Sequence, residues 1–236
     1  MSTARFGFPV PNWTPPPPPD GRAMEGAYIR LERLDPDAHA ADLHQSFVGH
    51  DPLWDYLPYG PFASSAGYHR WVKEATAGTD PLFWALRDAD TGHAVGVASY
   101  LRITPAAGSI EVGHICLSPA LQRRRGATEA MFLLMDWAFS AGYRRYEWKC
   151  DALNVPSRRA AQRLGFSYEG VFRQMSVVKG RNRDTAWFSI IDSEWPALRE
   201  AYAAWLSPAN FDAAGLQRER LSDLTGLVRA SSDPTL

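Results

Sequence analysis

The chain has 236 residues, 45% of them hydrophobic, which is enough to bury one substantial core with appendages. Its 25 Lys and Arg nearly cancel 26 Asp and Glu, so no global field draws nucleic acid or an anionic membrane, and any anion site has to be local. Cys116 and Cys150 lack C-x-x-C spacing, which argues against a zinc knuckle or disulfide framework. No run approaches the roughly 20 apolar residues of a membrane span, and residues 1–25 lack a signal peptide's layout. The expectation is a cytoplasmic protein without a metal.

Residues 1–26 open with "FPVPNWTPPPPPDG", whose five consecutive prolines form a stiff extended arm rather than a domain, with Phe6, Phe8 and Trp13 as its anchors. The arm either packs on its own domain or a partner subunit, or serves as a polyproline ligand. "AYIRLERLD" (27–35) alternates like a first strand, and 35–47 reads as a helix capped by Asp35 with Pro36 at its first position. "DPLWDYLPYGPF" (51–62) is too rich in Pro and Gly for regular structure. Helix resumes over 64–78, and strands follow at 82–88 and 93–104 across an Asp-Ala-Asp-Thr-Gly turn.

In "SIEVGHICL" (109–117) Ile110 and Val112 are in phase, as are Ile115 and Leu117, but the phase slips by one residue between the pairs. A β-bulge near Gly113 to Ile115 explains the slip, and an imperfect buried strand is the alternative. Apolar positions at 127, 131, 134, 138 and 141 predict a helix over 122–141 that is stopped by Gly142. A strand at 143–150, a short helix at 154–166, a hairpin of 166–178 and 184–192 about Lys179 to Asn182, and a helix near 195–206 complete the pattern. Residues 196–236 form a polar helical extension.

The strand-to-helix junction "LSPALQRRRGATEA" carries the chemistry. A helix start presents unpartnered backbone N–H groups and the positive end of the helix dipole, which together favour an anion, most often phosphate. Three arginines there oppose the dipole unless an anion is present. Neither a Walker loop nor a Rossmann glycine fingerprint occurs.

The run "IEVGHICLSPALQRRRGATEAMFLLMDWAF", the strand "RYEWKCDALN" and "NVPSRRAAQRLGFSYEGVFRQ" resemble, in this order, the GNAT superfamily of acyl-CoA-dependent N-acyltransferases. The likeness is to the branch of ribosomal-protein N-terminal acetyltransferases and covers about residues 27–195. It implies an α/β (α+β) fold: a central mixed, mostly antiparallel sheet splayed between its fourth and fifth strands and flanked by helices. It also implies acetyl-CoA as co-substrate, with its pyrophosphate on a Q/R-x-x-G-x-G/A loop. Aligning Gln122 and Ala127 with the ends of that motif puts Arg125 where a Gly is expected, next to Gly126. Starting at Arg123 restores Gly126 but leaves Thr128 in the last place. In the preferred first register the Arg125 side chain points outward, Arg123 or Arg124 meets the 3′-phosphate of CoA, and Arg158 and Arg159 add positive charge.

The resemblance further implies that a backbone N–H after the bulge, of Cys116 or Leu117, polarises the thioester, and that Cys116 is core rather than a nucleophile. Glu111, eleven residues before Gln122, is the candidate base, with His114 as competitor. A base position of the similar branch falls on Ser176 and is lost. Asn154 and Ser157 form N-x-x-S, for pantetheine contact and for protonating the leaving thiolate, and both are also ordinary helix caps. Trp54, Tyr56 and Tyr59, with His114, are expected to wall the acceptor site or to form a satellite core. These features point to N-acetyl transfer to a primary amine, either a small molecule or a protein N-terminus, in a protein that forms a homodimer. The alternative is a non-catalytic module of the same fold that binds acyl-CoA or a partner.

Overall fold

The structure, a computed structural model, describes residues 5–236, so the first four residues of the expected arm lie outside it. In chain order the elements are β1 (Met24–Glu25), β2 (Ile29–Arg33), α1 (Pro36–Phe47), α2 (Ser65–Ala75), β3 (Leu82–Asp88), β4 (Ala94–Thr104) and β5 (Ser109–Leu117). Then come α3 (Arg125–Ser140), β6 (Arg145–Asp151), α4 (Val155–Arg163), β7 (Ser167–Val178), β8 (Arg181–Ile191), α5 (Trp195–Leu206) and α6 (Leu221–Gly226). The strands make one eight-stranded sheet in the order β1-β2-β3-β4-β5-β6-β8-β7. Among the described residues only β5 and β6, the fourth and fifth strands of the sequence reading, run parallel.

Helices cover both faces of the middle of this sheet. β4 is therefore buried without interruption over its first eight residues, as a strand covered on both sides must be. Leu31, Trp84, Ile110, Leu134 and Phe188 belong to the larger core beneath α3. Leu43, Tyr68, Val72, Phe83 and Val97 belong to a second core beneath α1 and α2. Asp35 caps α1 by accepting from the N–H groups of Asp37 (2.9 Å) and Ala38 (2.8 Å).

Two boundaries differ from the periodicity. Residues 118–124 form turns, with the N–H of Gln122 bonded to Ser118 O (3.0 Å) and that of Arg124 to Leu121 O (3.2 Å), and Arg123 is left-handed at φ 60°. The helix consequently starts at Arg125 rather than 122. In the β7–β8 hairpin, Lys179 (φ 49°) and Gly180 (φ 73°) alone make the turn, the double positive φ that suits a two-residue hairpin, and β8 begins at Arg181 rather than 184.

One buried side chain ties α3 to β2. Glu129 accepts from the backbone N–H groups of Ala27 (2.8 Å), Tyr28 (2.6 Å) and Ile29 (3.0 Å). Beside it Gly126 lets the helix approach the strand closely, since a Cβ there would lie 3.2 Å from Tyr28 O.

The proline arm packs on its own chain. Pro16 is buried, the Tyr143 hydroxyl donates to Pro17 O (3.2 Å), and Trp13 Nε1 donates to Ala106 O (3.3 Å). Phe6 and Phe8 are exposed and anchor nothing among the described residues. At the other end α5 shares the α3 core, with Trp195 stacked on Phe139 at 5.0 Å between ring centroids. The tail beyond α6 wraps α4, where Asp233 accepts from Arg158 Nε (2.7 Å).

Candidate active site

β5 and β6 pair only from Ser109 with Arg145 to Val112 with Trp148, and then part. Past that rung β5 stays with β4 and β6 with β8, which opens a wedge in the sheet. The phase slip seen in the sequence lies at its mouth. Val97 pairs with Cys116 and Ser99 with Gly113, so two residues, His114 and Ile115, oppose Ala98 alone, and His114 has φ 51°. This is a β-bulge.

The bulge decides which backbone groups face the wedge. Ser118 N–H donates to Val95 O (3.0 Å), and alternate N–H groups along a strand point to opposite edges. The Cys116 N–H therefore belongs to the β4 ladder, whereas that of Leu117 points into the wedge. Leu117 O accepts from Gln122 Nε2 (2.9 Å) on the same side. The Cys116 thiol is buried in the second core, which pushes its pKa up to about 12 and removes it as a nucleophile at neutral pH.

A cavity of about 860 Å³ fills the wedge and the open sheet face beside it. Glu111 lines it and is only 3% exposed. Its Oε1 accepts from Arg102 Nη1 (2.7 Å), and Oε2 lies 2.8 Å from Lys149 Nζ. Lys149 also pairs with Glu147 (2.7 Å) and stands 3.8 Å from the Trp187 ring centroid. Desolvation raises the Glu111 pKa, against the opposing pull of Lys149 and Arg102. Burial, helped by the charges of Arg102 and Arg183, pushes His114 down to about 4. Its Nδ1 lies 3.1 Å from the Tyr59 hydroxyl, and its ring is stacked on Tyr59. His114 is thus neutral at pH 7 and fixed by aromatic neighbours.

Asn154 caps α4, its Oδ1 accepting from Ser157 N–H (3.1 Å). Ser157 Oγ accepts from Trp148 Nε1 (3.0 Å), which leaves its own O–H as a donor beside the Cys150 sulfur. Both residues line the cavity, as does Gln122. Gln122, Arg123 and Arg124 are exposed at the start of α3, and among the described residues no side chain caps that helix. Arg125 turns away from this loop: its guanidinium lies 3.7 Å from the Phe211 ring centroid and donates to the Tyr28 hydroxyl (3.2 Å). Ala127 is half-buried against the core. Thr128 is buried and accepts from Arg163 Nη2 (2.9 Å). Arg158 is also withdrawn from the loop, into a 2.5 Å ion pair with Asp233.

Of the four aromatic or imidazole residues expected around the acceptor, Tyr56 and His114 line the cavity. Trp54 is 2% exposed and packs edge-on to Phe47 and Phe62, while Tyr59 packs on Trp71 at 4.3 Å. These two form the satellite core, and they support the wall rather than surface it.

Sequence reasoning missed Arg102, Lys149, Arg183 and Trp187. Lys149 was within reach: the alternation of Tyr146, Trp148 and Cys150 sends Glu147 and Lys149 to the face that Glu111 occupies once β5 and β6 are set parallel. Arg102 was not, because it reaches Glu111 from a left-handed residue (φ 47°) at an irregularity of β4.

Among the described residues no helix is long and apolar enough to cross a membrane, and no three side chains cluster as metal ligands. The acetyltransferase (GNAT) domain family matches residues 29–167. A GCN5-related N-acetyltransferase from Brucella melitensis is 48% identical, with a TM-score of 0.90 over 92% of this chain and 100% of that one. A probable GNAT-family acetyltransferase from Chromobacterium violaceum is 41% identical, with a TM-score of 0.78 over 84% of this chain and 100% of its own. RimL, a ribosomal L7/L12 N-acetyltransferase solved with coenzyme A, shares the fold at 20% identity and a TM-score of 0.62, over 73% of this chain and 99% of its own. The uncharacterized N-acetyltransferase p20 of Bacillus licheniformis is 30% identical over 107 residues, 45% of this chain, and the match spans 60% of that relative's length. With its domain matched across more than half its length and the splayed sheet in place, this chain belongs to the GNAT acetyltransferase family.

Proposed function

We propose that the protein transfers the acetyl group of acetyl-CoA to a primary amine by direct attack within a ternary complex. The observation that carries this reading is the coincidence, at one wedge, of the bulge at His114, the separation of β5 from β6, and the uncapped start of α3. The residues fit the group: exposed Gln122, Arg123 and Arg124 and the free N–H groups around Gly126 and Ala127 suit a pyrophosphate. Bound there, acetyl-CoA supplies an activated thioester.

Each protein group then has a part. The Leu117 N–H, aimed into the wedge, donates to an oxygen on which negative charge develops. Glu111 accepts the proton of an acceptor ammonium, and its raised pKa suits that task. Ser157 uses its O–H to protonate a leaving sulfur, with Trp148 holding its oxygen in place. Asn154 fixes the α4 start from which Ser157 projects. The acceptor amine enters from the open sheet face, past Tyr56 and His114.

The test is thiol release from acetyl-CoA with a panel of primary amines, alongside calorimetric titration of acetyl-CoA. Amine-dependent release supports transfer. Tight binding without release for any amine leaves the binding-module reading, and the absence of binding removes both.

A further inference from the structure

Three cations and two carboxylates line the cavity, and they are unequally satisfied. Arg102 and Lys149 both pair with Glu111, and Lys149 also with Glu147. Asp151 is occupied by the backbone N–H of Leu153 (2.8 Å). Arg183 has no carboxylate partner among the described residues, and its Nε is buried without a hydrogen-bond partner. A buried guanidinium N–H left unpaired costs free energy that an incoming anion would return.

The fold places this arginine deliberately. Along β8, Ala186 and Phe188 enter the α3 core, so Arg183, Thr185 and Trp187 face the opposite side, where Trp187 is the register partner of Lys149. An irregularity in β7 between Phe172 and Ser176, with Gln174 at φ 51°, turns the sequence neighbours Met175 and Ser176 both into the cavity beside it. The outer wall is strapped down at two points: Lys179 Nζ donates to Trp54 O (2.8 Å), and the Tyr56 hydroxyl donates to Leu153 O (3.2 Å). Those ties bridge the 51–58 segment to the hairpin tip and to the β6–α4 turn. They favour a small acceptor over a long polypeptide. Leu53, Leu57 and Met175 make part of the lining apolar.

We propose that Arg183 binds a carboxylate of the acceptor, so that the substrate class is a small amino carboxylate with an apolar body. Its anion sits on the Arg183 guanidinium, whose buried Nε edge turns toward the cavity to meet it, and its amine faces Glu111. Nε with one Nη offers two parallel N–H groups, the geometry that recognises carboxylate and that lysine cannot reproduce. This inference rests on the acetyl-transfer reading for the fate of the amine, but not for the binding of the carboxylate.

The experiment uses L-leucine, L-methionine and L-phenylalanine, each with its carboxamide and its decarboxylated amine. Binding to the full chain is measured by calorimetry with and without CoA, and thiol release from acetyl-CoA is followed in parallel. At least one acid should bind about 10- to 100-fold more tightly than its carboxamide. Arg183→Gln should bring that ratio close to one, and Arg183→Lys should keep part of it, with both variants retaining the melting temperature. Equal binding of acid and carboxamide for all three sets, a ratio unaltered in Arg183→Gln, or stronger binding of a tetrapeptide amide with a free N-terminus would each overturn the proposal. Carboxamides acetylated as fast as the acids would overturn it while leaving acetyl transfer standing. Arg183-dependent binding of the acids without thiol release would support it and remove acetyl transfer.

Discussion

The ammonium of Lys149 lies 2.8 Å from Oε2 of Glu111, just past the last rung that joins β5 to β6. Both side chains are nearly inaccessible, so burial raises the Glu111 pKa while that ammonium and Arg102 pull against the rise. Removing the cation with Lys149→Met should drive the Glu111 pKa further up and move the acidic limb of kcat/KM to higher pH. Glu111→Gln should abolish that limb and lower kcat by about 10²- to 10⁴-fold, the usual contribution of a general base. His114, already down at about 4, is neutral throughout the range, and His114→Gln should leave the limb where it is. A pH profile of thiol release for the three variants separates these roles; a limb that moves with His114 and not with Glu111 would reassign the base.

The same carboxylate should mark the stability of the fold. Its folded pKa is raised above the ordinary 4.5, so the native state holds the proton more tightly than the unfolded chain does. The sign follows: stability from this group is full below the unfolded pKa and is lost as pH rises through the folded one. Glu111→Gln cannot lose it. The melting temperature of Glu111→Gln relative to the parent should therefore climb as pH is raised from 4 toward 7. A difference independent of pH would mean that Lys149 and Arg102 fully offset the burial.

Much of this site was legible in the chain because local chemistry and tertiary demand agree there. The phase slip about Gly113 is a direct imprint of the bulge, since one extra residue inverts which side chains meet the core. Asn154 and Ser157 carry both the cap pattern and the site pattern. The arginines at 123–125 were harder to read: three identical side chains in a row differ only in what the fold brings near them. Arg125 meets Phe211, a residue 86 positions further on that no periodicity links to it. The start of α3 was misjudged for a related reason, because Arg123 takes a left-handed conformation without glycine to announce it.

That separation among the arginines is itself testable. Arg123→Glu and Arg124→Glu place negative charge beside an uncapped helix start and should raise the KM for acetyl-CoA about tenfold, an effect that shrinks at high salt. Arg125→Ala should act on stability instead. Loss of the Phe211 and Tyr28 contacts should cost about 0.5–2 kcal/mol in urea denaturation, the range of a cation–π contact. A KM increase at Arg125→Ala as large as at the other two would place its guanidinium on the phosphates.

Glu129 should prove the most sensitive structural position outside the wedge. Its carboxylate serves three N–H groups at the entry to β2, so Glu129→Ala removes the acceptor of three donors at once, the Ile29 N–H among them fully buried. Charged hydrogen bonds are worth about 1.5–3 kcal/mol each and do not add fully, so a loss of about 3 kcal/mol or more is expected in urea denaturation. At this chain length that corresponds to a fall of roughly 6–12 °C in Tm. Gly26 supplies the control. A Cβ there would stand 2.4 Å from the Glu129 carboxyl group and 2.9 Å from Ile29 O, so Gly26→Ala should destabilise the parent by crowding both. In the Glu129→Ala background the first of those clashes is gone, and Gly26→Ala should cost less. The two substitutions would then show a coupling of about 1 kcal/mol or more in a double-mutant cycle. Additive costs would mean that the carboxylate does not hold this corner of the sheet against α3.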